Sequence, residues 1–161
     1  MSSNTPARPA WYSRVIATDA PVWTWLIRLS TGAVFLSEGI QKFLFPDTIG
    51  AGRFLKIGIP APEIMGPFVG VVEIVCGSLL LLGLLTRLAA VPLIGVMLVA
   101  ISTTKIPMLL KDGFWKMAHE SRTDFAMLLG CAFLLLVGAG RWSIDAILER
   151  RHPESHSGTD S

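Results

Sequence analysis

The stretch IMGPFVGVVEIVCGSLLLLGLL, residues 64–85, carries a single charge, Glu73, in 22 positions. A bilayer's hydrocarbon core is roughly 30 Å thick and takes about 20 helical residues to cross. The run is therefore long enough to span. The competing reading, a core helix of a soluble bundle, needs polar residues at helical spacing to form a wet face, and residues 69–85 carry no such stripe. Outward from this stretch the pattern repeats. Leu88 to Thr104 is 17 residues without a charge, and Phe125 to Gly140 is 16. Val22 to Phe45 is 24 residues interrupted by Arg28, Glu38 and Lys42, with Trp23 and Trp25 at one end and Phe43 and Phe45 at the other, placed like aromatic belts. Four such runs predict an all-α integral membrane protein, a four-helix bundle of antiparallel, up-and-down helices in contact with the lipid bilayer.

Composition agrees. Of 161 residues 52% are hydrophobic and 16% charged, whereas soluble domains carry about 25% charged residues. The net charge of +2 argues against a nucleic-acid binder, which usually shows a dominant basic face. The apolar content excludes whole-chain disorder, and two cysteines cannot build a disulfide scaffold.

Helix punctuation sets the expected limits. Pro46 and Asp47 stop the first helix, and Pro67 falls in the first turn of the second, where proline is tolerated. Residues 83–87 form a connection so short that helices two and three pair as a hairpin. Pro107 ends helix three, and Gly138 and Gly140 end helix four. The expected spans are 22–45, 64–85, 88–107 and 124–142, the last closed by Arg141 snorkelling and Trp142 at the interface. A polar tail, residues 1–21, precedes this domain. Residues 143–161 follow as a short amphipathic helix, Ile144 to Arg151, N-capped by Ser143, and a disordered tail. Four spans put both termini on one side. Each side carries six Lys and Arg, so the charge rule does not orient the chain. The lack of a signal peptide's apolar core in residues 1–20 favours cytoplasmic termini in the cell (inner) membrane.

A charge near the bilayer centre costs about 2.5–3.5 kcal/mol on insertion scales, so Glu73 is the most informative residue. It lies nine residues after Ile64, about 13 Å deep. Glu38 lies seven residues before Phe45, about 10 Å from the same face. Lys42 follows Glu38 by four positions, the favoured order for an ion pair on one helix face, and Gln41 is adjacent. Lys105 closes helix three on the same side and Asp124 opens helix four there. Glu38, Gln41, Lys42, Glu73, Lys105 and Asp124 are thus expected to share one polar pocket toward the loop side. They either bind a ligand or proton, or pin the helices together, a role worth only about 0.6 kcal/mol per contact in one measured membrane protein.

Other features carry less. Cys76 and Cys131 lie within helices and read as packing residues. His119 reads as a loop residue, and no metal constellation is evident. Gly66-x-x-x-Gly70 fits a helix-packing pattern. The first loop, with Phe54 and Leu55 between Arg53 and Lys56, is either an interfacial connector or a cover for the pocket.

Several motifs in order resemble DoxX-like membrane proteins: Gly39-Ile40-Gln41-Lys42, Gly58-Ile59-Pro60-Ala61-Pro62, Glu73-Ile74-Val75-Cys76-Gly77, Gly83-Leu84-Leu85-Thr86-Arg87, and the close Gly138-Ala139-Gly140-Arg141-Trp142-Ser143-Ile144-Asp145. The resemblance covers about residues 27–145. It implies four membrane helices and association with redox enzymes, since the family takes its name from a subunit of a quinone-linked sulfur-oxidising system. A quinone is the cofactor this implies, with its tail in the bundle and Lys42, Gln41 or Glu73 near its carbonyls. The other readings are a small proton-coupled transporter and a non-catalytic membrane partner of soluble redox proteins. Self-association is compatible with each.

Overall fold

Residue chemistry explains where the helices start and stop. The computed structural model of the chain describes residues 21–150. Helix α1, Thr24–Leu44, ends as the chain meets Pro46. A short helix α2, Ala51–Lys56, follows. Helix α3, Pro62–Leu82, opens with proline at its first position and Glu63 in its first turn, both favourable at a helix N-terminus. Because α3 starts two residues earlier than expected, Pro67 falls inside it rather than in its first turn. Gly83 closes α3 with φ +65°. Its N–H bonds to the Leu80 carbonyl and that of Leu84 to the Leu79 carbonyl, the paired bonds of a Schellman stop.

After the three-residue connection, helix α4, Thr86–Ala100, begins. It passes through a π-helical turn, Ile101–Lys105, into helix α5, Ile106–Asp112, as one continuous rod of 27 residues. Pro107 therefore does not end the third helix. It sits in the first turn of α5, just after the π turn has already interrupted the regular bond ladder, so its missing N–H is tolerated there. The elbow at Gly113, φ +86°, separates α5 from helix α6, Phe114–Glu120. Helix α7, Arg122–Val137, stops at Gly138, short of the expected 142. Helix α8, Ile144–Arg150, is N-capped as expected: the Ala146 N–H donates to Ser143 Oγ at 3.1 Å. The polar tails and Arg151 lie outside the described residues.

The broadest packed seam is α1 against α3, then α4 against α7. Contacts of α3 with α4 and α1 with α7 complete the arrangement. The small core is Phe35, Cys76, Leu80, Ala89, Ala90, Leu93, Cys131 and Leu134. One helix departs from the pattern of a soluble protein. Along α3 the buried residues are Gly66, Gly70, Glu73, Cys76, Gly77 and Leu80, while Ile64, Phe68, Val71, Val75 and Leu82 face outward. Small residues and a charge inside, large apolar side chains outside, is the arrangement lipid favours. Among the described residues two helices are long and apolar enough to cross a membrane by length and composition, Pro62–Leu82 and Thr86–Asp112. Helix α1 has the length but carries Arg28, Glu38 and Lys42, and α7 has only 16 residues.

The end of the molecule opposite α2 is tied by a polar knot that sequence reading did not place. Arg28, buried, donates to the carbonyls of Ala139 at 3.0 Å and Trp142 at 2.8 Å. Asp145 accepts the N–H groups of Leu85 at 2.8 Å and Thr86 at 3.0 Å. It thereby caps α4, whose own N-cap position is a leucine with no side-chain acceptor. Burial holds the Asp145 carboxyl above its ordinary pKa, opposed by those two N–H bonds and the charge of Arg28. Trp25 and Trp142 stack beside the knot at 6.4 Å.

Candidate functional site

Glycine sets the geometry of the α1–α3 seam. A Cβ on Gly32 would lie 2.9 Å from the Gly77 carbonyl oxygen, and one on Gly39 would lie 2.7 Å from that of Gly70. Only glycine lets the two backbones come this close. The pairing 32 with 77 and 39 with 70 shows that numbering falls along α3 as it rises along α1, so the helices are antiparallel. In that register Glu73 is level with Leu36. Lys42 is six residues further along α1, about 9 Å at 1.5 Å per residue. Side chains tilt toward the N-terminus of their own helix. In an antiparallel pair that tilt carries Lys42 and Glu73 toward one another.

They meet. Lys42 Nζ lies 2.6 Å from Glu73 Oε2. The Glu73 side chain is 3% exposed and that of Lys42 10%. Glu38, one turn earlier on α1, is at the margin, 4.0 Å from Lys42 Nζ with its side chain 47% exposed. Arg53 on α2 is close enough to act on Glu73 electrostatically. Helix α2 lies over this end of the seam. A Cβ on Gly50 would lie 2.6 Å from the Lys42 carbonyl oxygen, and one on Gly66 would lie 2.8 Å from the Ala51 nitrogen.

The remaining candidates are arranged differently from the single expected pocket. Gln41 Nε2 donates to Ser37 Oγ at 2.9 Å on the exposed side of α1. Lys105 Nζ pairs with Asp124 Oδ2 at 2.9 Å and donates to the Glu120 carbonyl at 2.7 Å, bridging the π turn to α7. Among the described residues no ion pair or hydrogen bond joins this second pair to Lys42–Glu73. A cavity of about 520 Å³ opens elsewhere, between α1 and α7, lined by Leu26, Ile27, Thr31, Met127, Gly130 and Phe133 among others. None of the six candidates lines it. Cys76 and Cys131 are free and buried, and both belong to the packed core. The sequence marks Arg28 only as a charge interrupting the first apolar run, and Asp145 only as the end of the closing motif. The signal was there in the glycine-bounded link at 83–85, which leaves the first N–H groups of α4 without a local acceptor.

The chemistry of the α1–α3 site follows from this geometry. An ammonium and a carboxylate in an apolar seam can each hold one end of a polar group brought in by an apolar ligand. Glu38 stands ready as a second partner for Lys42 once the first pair opens.

Comparison with known proteins bears on the whole chain. The DoxX family model matches residues 24–106, which contain both members of the buried pair. A relative from Mycobacterium tuberculosis (strain ATCC 25618 / H37Rv), the uncharacterized membrane protein Rv3486, is 52% identical over 157 residues, covering 94% of this chain and 96% of that protein. No solved structure matches. The chain is a membrane protein and belongs to the DoxX family.

Proposed function

We propose that the protein is a four-span membrane subunit of a quinone-linked oxidoreductase, with both termini on the cytoplasmic side of the cell membrane, and that the Lys42–Glu73 pair receives the quinone headgroup. The observation that carries this reading is a full ion pair, 2.6 Å long and almost wholly buried, at a glycine-lined helix seam inside a membrane protein. Two paired charges cost more to place in lipid than such contacts return as scaffolding, so a role beyond holding helices together accounts for them better. A quinone carbonyl is an acceptor and matches the Lys42 ammonium. A quinol hydroxyl is a donor and matches the Glu73 carboxylate. When a quinol headgroup enters between them, Lys42 turns to Glu38 and Glu73 accepts from the quinol hydroxyl, so neither charge is stranded. Electrons come from a redox partner, since the groups at this site offer hydrogen bonds and charge.

The test is photolabelling of the purified full chain in bilayers with an azido-quinone, read by peptide mass spectrometry. The expected result is labelling within residues 35–45 and 66–77, competed by unmodified quinone and lost in Lys42→Met and Glu73→Gln. Labelling unaffected by both substitutions, or none above that of the bulk lipid, contradicts the proposal.

A further inference from the structure

The 27-residue rod Thr86–Asp112 is about 40 Å long at 1.5 Å per residue. A hydrocarbon core is roughly 30 Å thick, and a whole bilayer with headgroups about 40–45 Å. With Thr86 at one hydrocarbon boundary, Lys105 is 19 residues on, about 28 Å away, at the other. The Lys105–Asp124 pair then marks that boundary, and α5 lies within the headgroup layer. The Gly113 elbow turns the chain back, since the carbonyl of Glu120 at the end of α6 accepts from Lys105 Nζ at 2.7 Å.

The side chains of these two helices look wrong for a loop in water. Neither α5 nor α6 has a buried residue. Trp115 at 85% and Leu110 at 81% are the most exposed large hydrophobic residues among those described, and Phe114 is 58% exposed. The rod itself carries further exposed apolar residues toward this end, Leu98, Val99, Ile106 and Leu109, interrupted by Ser102. Cations are interleaved with them. Lys116 pairs with Asp112 at 3.1 Å, and Lys111 has no carboxylate partner among the described residues. Aromatic rings beside lysines at the end of a span are what the membrane–water interface selects.

We infer that residues 106–120 form an interfacial anchor that lies in the phospholipid headgroup layer, with Leu110, Phe114 and Trp115 turned toward the hydrocarbon boundary and Lys111 and Lys116 toward the phosphates. This rests on α4 and α5 crossing the membrane as one rod and is independent of the quinone reading. The anchor would hold the rim of the loop side at a fixed depth, and with it the Lys105–Asp124 pair at the base of α7.

The test uses the full chain with Cys76→Ala and Cys131→Ala, carrying a nitroxide at Trp115→Cys or, separately, at Leu110→Cys. The protein is reconstituted in vesicles of phosphatidylcholine with phosphatidylglycerol. Collision rates with oxygen and with a water-soluble nickel chelate are then compared. Both labels are expected to show an oxygen-to-chelate ratio several-fold above that of a nitroxide in water, at a depth just inside the phosphates. Adding Lys111→Gln and Lys116→Gln is expected to shift the label at 115 toward water. Three results overturn the inference: chelate access equal to that in water at both positions, shielding from both reagents as a covering protein or second copy would give, or no shift on removing the two lysines.

Discussion

At the scale of single residues, Lys42 and Glu73 depend on each other unequally. Removing one member of a buried pair strands the other charge and typically costs about 3–5 kcal/mol. Lys42→Met leaves Glu73 almost wholly buried with no other side-chain partner, since its one hydrogen bond is to Lys42. Glu73→Gln leaves Lys42 within 4.0 Å of a half-exposed Glu38. The expected order of loss in detergent unfolding is therefore Lys42→Met well above Glu73→Gln, with the double variant recovering most of the difference. Equal losses in the two singles would contradict this asymmetry. The pair was legible in the sequence because a charge in an apolar run has to be explained. What could not be read was which neighbours close on it. Gln41 is adjacent to Lys42 in sequence yet bonds to Ser37, and Lys105 and Asp124, expected in the same pocket, join a different seam. Those facts depend on how each helix is turned and which helix it packs against, and only the tertiary contacts fix them.

At the scale of elements, the seams hold by close approach and the ends by borrowed caps. Gly39→Leu and Gly77→Leu drive a side chain into backbone on the facing helix, and overpacking of this kind costs about 1–3 kcal/mol. Gly95 has nothing within 4 Å of its Cβ position. Gly95→Leu is expected to unfold in detergent at the same denaturant midpoint as the parent, while the two seam variants fall below it. Asp145→Ala leaves the N–H groups of Leu85 and Thr86 without their acceptors, a loss of about 1–3 kcal/mol. Its pH dependence has a definite sign. A carboxyl whose folded pKa is raised contributes most below its unfolded value, and the contribution falls as pH rises through the folded value. The gap in thermal midpoint between the parent and Asp145→Ala should therefore be wider near about pH 4 than at neutral pH. A gap that widens toward neutral pH would contradict the burial argument. The stops near Gly83 and Gly138 were legible because glycine acts locally, whereas the start of α3 at Pro62 was not. The run of the third helix through Pro107 was not, because the π turn before it has no plain sequence mark. Nor was the capping of α4 by Asp145, a contact across 59 positions.

At the scale of the whole molecule, one helix departs from the pattern of a soluble bundle. On the Pro62–Leu82 helix glycines, Cys76 and Glu73 share the buried face with Leu80, and Ile64, Phe68, Val71, Val75 and Leu82 face outward. The low charge content of the sequence already pointed to a membrane. The structure adds that three of the charges inside the helices are bonded: Arg28 to backbone carbonyls at one end, and Lys42 to Glu73 at the other. The central claim is that the second of these is a true ion pair inside the bilayer. It is tested most directly by magic-angle-spinning NMR of the full chain in lipid, with 15N-labelled lysine and 13C-labelled glutamate, measuring the dipolar coupling between lysine Nζ and the glutamate carboxyl carbon. The account predicts a strong coupling that disappears in both Lys42→Met and Glu73→Gln. No coupling in the parent protein, or one that survives either substitution, would contradict it.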